Sequence, residues 1–245
     1  MLSAACPLQF DPADHVYRLN GVVVPSVTQV LRAQGYVDFY RDLTDKIAEG
    51  QLSASDGCYA LIQRGKRLEE ARSRGQRVHN ALHYLLEDDL DSESLDEETR
   101  LYLYSGQQYL EQFITKVYRA EFRVWSLRHH CAGTLDLLAV HADGRLFIGD
   151  FKTGSPDDVA ADLQTSAYLG FALEMASADD ELRAELRAHG PVIHRRSIRL
   201  WKDGRIATET LYTDHRDFTK FLNALSVVHD QARRPRPVLE WDDER

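Results

Sequence analysis

The sequence predicts an α/β fold, a central sheet between helices, and three observations carry the prediction. Residues 132–140 and 146–152 are apolar on both alternating faces, the mark of strands covered on both sides. Stretches of helical periodicity precede and follow them. A length of 245 residues, 43% hydrophobic and 28% charged, is ordinary for a soluble globular protein and allows one large domain with a substantial core.

In chain order, residues 15–19 and 22–24 flank Asn20-Gly21, the dipeptide favoured in a type I′ turn, so a hairpin comes first. Ser26 and Gln29 have capping-box spacing, and a helix should begin there. Residues 36–57 follow no clear period. A long helix is expected over about 59–88, with Gly65 or Gly75 as sites for a kink, and another over about 97–117. Three strands follow, over about 118–125, 132–140 and 146–152. Ser155 then caps a helix, with Pro156 at its first position and Asp157 and Asp158 in the first turn. Strands over about 193–201 and 206–212 join around Asp203-Gly204. A helix over about 214–231 and a Pro/Arg-rich tail end the chain. The expected division is an N-terminal hairpin and helical extension, residues 1–60, and a core over 61–245.

Composition narrows the classes. No apolar run reaches the length of a membrane span, and no basic region leads into an apolar one at the N-terminus, so an intracellular protein without a membrane partner is expected. Cys6, Cys58 and Cys131 lie far apart, which argues against a disulfide framework and against a cysteine-built cluster. A net charge of −9 opposes broad phosphate binding, but the charge is uneven. Residues 87–98 are mostly acidic, whereas Arg64, Lys66, Arg67, Arg72, Arg74 and Arg77 form a basic run. His194, Arg195, Arg196, Arg199 and Lys202 form a second. Nucleic-acid contact would then be confined to a groove.

The chemistry concentrates in Gly133-Thr134-Leu135-Asp136 and Gly149-Asp150-Phe151-Lys152-Thr153-Gly154. Charges on apolar strands are costly unless paired or metal-bound. Asp150 and Lys152, two apart on a strand, share one face. Loop length decides whether Asp136 joins them. A two-residue loop at Asp143-Gly144 pairs Leu137 with Asp150, whereas a three-residue loop, Ala142-Asp143-Gly144 with Gly144 left-handed, pairs Asp136 with Asp150. The three-residue loop is expected. Two carboxylates and a lysine on one face suit metal-assisted phosphodiester hydrolysis: the carboxylates hold the ion and the lysine steadies developing charge. Gln164 and Tyr168, four apart, share a face of the next helix, close enough to support the lysine or touch a phosphate. His79 and His83 also have i, i+4 spacing, but no glutamate completes a zinc-binding HExxH motif. The pairing of His129-His130-Cys131 with Cys58 is a weaker zinc arrangement still.

These residues together resemble the RecB-like branch of the PD-(D/E)XK nuclease superfamily, which includes lambda-type phage exonucleases and the mitochondrial genome maintenance exonuclease. The likeness runs from about Arg74 to Tyr168. It implies a restriction-endonuclease-like mixed sheet flanked by helices. It implies metal binding by His79, Asp136, Asp150 and the carbonyl of Phe151, with Mg²⁺ or Mn²⁺ as cofactor. Asp136, Asp150, Lys152, Gln164 and Tyr168 would be catalytic, and Arg74 and Arg77 would meet DNA. Glu121 sits near a glutamate of some relatives and is left outside the expected set. Iron–sulfur members carry a cysteine group near the C-terminus; nothing after Cys131 is a cysteine, so no cluster is expected. The implied activity is DNA exonuclease, acting on single strands or duplex ends in recombination or repair, in a bacterial or phage-infected cytoplasm. A single-strand annealing protein is an implied partner. A structure-specific endonuclease and an inactive DNA-binding subunit are the rival readings.

Overall fold

The computed structural model describes residues 6–35, 46–154 and 160–234. The expected Ser155–Pro156 helix start and the Pro/Arg-rich tail from residue 235 lie outside them, as does much of the stretch without a clear period. A three-stranded antiparallel meander comes first: β1 (Leu8–Asp11), β2 (Val16–Leu19) and β3 (Val22–Val24). The β2–β3 turn is the expected one, with Asn20 and Gly21 both at positive φ, 49° and 80°. β1 is an addition to the expected hairpin. Ser26 forms the capping box with Gln29 and starts α1 (Val27–Ala33).

Next comes α2 (Ala54–Leu86), unbroken through Gly65 and Gly75; it crosses the expected domain division at residue 60. A 3₁₀ turn (Ser92–Ser94) leads to α3 (Glu97–Phe113), which Asp96 caps through the Thr99 amide. That helix ends four residues before the expected Val117, because β4 (Ile114–Ser126) already begins at Ile114. Ile114, Thr115 and Val117 are β-branched, and Ile114 pairs with His141 across the sheet.

Five strands form the mixed central sheet in the order β4, β5 (Cys131–His141), β6 (Leu146–Lys152), β7 (His194–Arg199) and β8 (Thr208–Tyr212). Only β6 and β7 run parallel, and α4 (Ala161–Met175) and α5 (Asp180–Arg187) lie in the crossover between them. α5 is a further addition; Asp179 caps it through the Leu182 amide. The chain closes with α6 (Asp217–Arg233). One apolar cluster joins α1, α4, α5 and α6 to Leu138, Val140 and Ile148; the other joins α2 and α3 to Leu137, Ala139, Phe147 and Ile198. Residues of alternating parity on β5 and β6 therefore feed opposite cores, which makes this a three-layer arrangement. The meander packs on the start of β5, where Ala132 donates its N–H to the Pro25 carbonyl at 3.2 Å and Tyr17 bonds Thr134 at 2.8 Å. No helix among the described residues is long and apolar enough to cross a membrane.

Candidate active site

The β5–β6 loop has the three-residue form. The His141 N–H bonds to the Arg145 carbonyl, and Gly144 is left-handed at φ 82°. Pairing then runs from Val140–Leu146 to Leu137–Gly149, the register that sets Asp136 level with Asp150. Beyond Leu137 and Gly149 the ladder stops. There the Phe151 N–H donates to Asp136 Oδ2 at 2.6 Å, while the Phe151 carbonyl meets His79 Nε2 at 2.9 Å. The site occupies this parting of the two strands.

His79 reaches it from α2, whose neighbouring Val78, Ala81 and Leu82 are buried. Its other nitrogen, Nδ1, lies 3.4 Å from Asp136 Oδ2 and 3.7 Å from Glu121 Oε1. Glu121 stands between register pairs Ala120–Leu137 and Phe122–Leu135, with φ at 45°, a left-handed conformation rare for a residue with a side chain. Burial disfavours charge on His79, but the carboxylates of Asp136 and Glu121 outweigh it and raise its pKa well above the ordinary imidazole value. The ligand atoms of His79, Glu121 and Asp136 lie within 4.8 Å of one another. One imidazole and two carboxylates suit a divalent cation such as Mg²⁺ or Mn²⁺.

Asp150, 1% exposed, lies outside that triad. Its Oδ2 is 2.7 Å from Lys152 Nζ, and its Oδ1 accepts from Gln164 Nε2 at 2.8 Å. Gln164 Oε1 accepts from Lys152 Nζ at 2.9 Å, and Gln164 Nε2 also donates to the Tyr168 hydroxyl at 3.0 Å. Lysine only donates and a carboxylate only accepts, so this network admits a single orientation of the amide. Burial raises the Asp150 pKa, the Asp136 charge adds to the rise, and Lys152 opposes it. Tyr168 is likewise raised well above its ordinary value, by burial and then by Asp150 and Asp136. The Gly133 position is explained by the same tyrosine: a Cβ there would lie 2.7 Å from Tyr168 Cε1.

The structure thus brings His79, Asp136, Asp150, Phe151, Lys152, Gln164 and Tyr168 together. It adds Glu121, which sequence reasoning left out. Its signals were its place near a glutamate of some relatives and its being the lone glutamate of β4; no motif fixes where it points. Arg74 and Arg77 lie on the same helix as His79 but are ion-paired, to Glu98 at 3.4 Å and to Asp96 at 3.1 Å. The second basic run is split by the sheet. Arg195 is buried against Asp217 at 2.9 Å, and Arg196 against Glu209. Arg199 is the register partner of Lys152, and Lys202 is exposed in the turn beyond it.

A comparison with protein families matches residues 58–238 to the PD-(D/E)XK nuclease superfamily. The chain belongs to that superfamily, with its restriction-endonuclease-like sheet, its nuclease catalytic architecture and a candidate metal-binding triad. No curated protein matches the chain significantly.

Proposed function

We propose that this chain is a Mg²⁺- or Mn²⁺-dependent deoxyribonuclease that degrades DNA from ends. The observation that carries the reading is the meeting of the His79–Glu121–Asp136 triad with the Asp150–Lys152–Gln164 network where β5 and β6 part. His79, Glu121 and Asp136 would hold the cation, with Asp150 and the Phe151 carbonyl beside them. When bound, a divalent cation supplies charge neutralisation on the phosphate oxygens and makes water a better nucleophile at neutral pH. Lys152 is held by Asp150 and Gln164 with its ammonium in place, so it can meet negative charge developing on the phosphate without reorganising. Tyr168 fixes Gln164 from behind. Phosphates would compete with Glu98 and Asp96 for Arg74 and Arg77, steering a strand along α2.

The preference for ends over internal cutting rests on the resemblance to the RecB-like and phage exonuclease branch. The same resemblance supports a role in DNA recombination or repair in a bacterial or phage-infected cytoplasm, beside a single-strand annealing protein. The deciding experiment is digestion of end-labelled single strands, linear duplex and covalently closed circles with Mg²⁺, Mn²⁺ or EDTA, alongside Lys152→Ala. Metal-dependent loss of linear but not circular DNA, abolished in the variant, is the expected result. Cutting of circles would replace the exonuclease reading with the endonuclease one. Binding without cutting under every metal would overturn both.

A further inference from the structure

β7 continues the catalytic face beyond β6. Arg199 is the parallel register partner of Lys152, and parallel neighbours present their side chains to the same face about 4.8 Å apart. Trp201 follows two residues beyond the end of the strand. Arg199 Cζ lies 4.0 Å from the centre of the Trp201 ring and Arg205 Cζ lies 3.6 Å from it. Two guanidinium groups that close to one centroid cannot share a face, so the indole is clasped between them. The ring is also anchored. Its Nε1 donates to Thr208 Oγ1 at 3.3 Å, and the Trp201 backbone N–H donates to Ser105 Oγ at 3.0 Å.

The charges on this stack are poorly compensated. Arg199 has no carboxylate within ion-pair distance among the described residues, and its buried Nε has no hydrogen-bond partner. Arg205 is 57% exposed and has one ion pair, with the equally exposed Asp203 at 3.5 Å. Lys202 is exposed between them. Covering an indole needs only one guanidinium; a second adds like-charge repulsion that a structural role does not require. An anchored aromatic ring with one face covered only by an exposed arginine, uncompensated cations and a place beside the register partner of Lys152 are what an unpaired nucleotide needs.

We infer that Trp201, clasped by Arg199 and Arg205, is a strand-holding platform that stacks a nucleobase of unpaired DNA beside Lys152. The exposed Arg205 swings off the indole as the base arrives and takes the adjoining phosphate, while Arg199 stays beneath the ring. This rests on the nuclease reading for its substrate class, but it concerns binding and not cleavage.

The test is anisotropy of a labelled oligothymidylate with the full chain in EDTA, so that nothing is cut. Trp201→Ala should weaken single-strand binding about tenfold and leave blunt duplex binding unchanged, whereas Trp201→Phe should retain most of the affinity. Arg205→Ala, on an exposed side chain, should lower the slope of log K against log salt by about 0.7. DNA-induced quenching of tryptophan fluorescence should shrink in Trp201→Phe. Wild-type affinity in Trp201→Ala together with an unchanged slope in Arg205→Ala would overturn the platform, as would equal losses on single strands and blunt duplex. Should Trp201→Ala fail to fold, the Phe variant and Arg205→Ala still decide. Trp201-dependent binding without cleavage under any metal would sink the nuclease reading alone; normal cleavage with Trp201-independent binding would sink the platform alone.

Discussion

At position 121 a glutamate adopts a backbone conformation that side chains disfavour, and the result is a carboxylate 3.7 Å from His79. Glu121→Gln keeps the shape and removes the charge. Loss of outer-shell partners alone weakens metal sites about 10–100-fold, so Mn²⁺ affinity by calorimetry should fall by more than tenfold. Lys152→Ala should reduce kcat by about 10²–10³-fold with DNA affinity retained, because its charge is needed chiefly as charge develops on the phosphate. Equal losses in turnover and binding would contradict that role. Asp136, Asp150, Lys152, Gln164 and Tyr168 were legible in the sequence because each sits in a short motif whose spacing survives folding, whereas His79 entered only through the family resemblance. Glu121 was not, since its aim depends on a twist of β4 that no neighbouring residue announces.

The helix α4 carries Gln164 and Tyr168, and two features hold it in place. Gly133 lets the tyrosine ring lie against β5; Gly133→Ala would force a Cβ to within 2.7 Å of it. Overpacking of this kind costs about 1–3 kcal/mol. A thermal melt should therefore drop by several degrees, about 2–4 °C per kcal/mol, and activity should fall with it. At the helix start, buried Arg195 donates to the carbonyls of Asp162 and Asp214 and to the Asp217 carboxylate. Arg195→Met should destabilise by about 3 kcal/mol in denaturant titration, as removal of one partner from a buried ion pair does. The β5–β6 loop was readable because one left-handed glycine sets its length. The end of α3 was not, because helical periodicity carried past Phe113 while β-branched Ile114 was already pairing with His141 in the sheet.

For the molecule as a whole, Glu209, on the sheet face opposite Lys152, contributes to acid stability. Burial opposes charge on Glu209, but Arg196 and Tyr109 outweigh it and hold its pKa below the ordinary 4.5. A carboxylate depressed in the folded state contributes stability that is complete above its unfolded pKa and lost as pH falls through the folded one. Unfolding free energy should accordingly decline below about pH 4.5, and Glu209→Gln should flatten that part of the profile. An unchanged acid limb in the variant would contradict this. Sheet and flanking helices were readable from two apolar strands and their helical neighbours. The order of β7 and β8, and the distribution of Arg195 and Arg196 to opposite cores, emerge only once the crossover is folded.

The strained backbone at Glu121 sets durability against the candidate metal triad. Glycine has no steric objection to that conformation, whereas a residue with a side chain gives up about 1 kcal/mol to occupy it. Selection for heat resistance alone would therefore drift toward glycine at position 121 and yield a sturdier protein without one carboxylate of the candidate triad. Persistence of the glutamate would mark a lineage in which catalysis, not endurance, was under scrutiny.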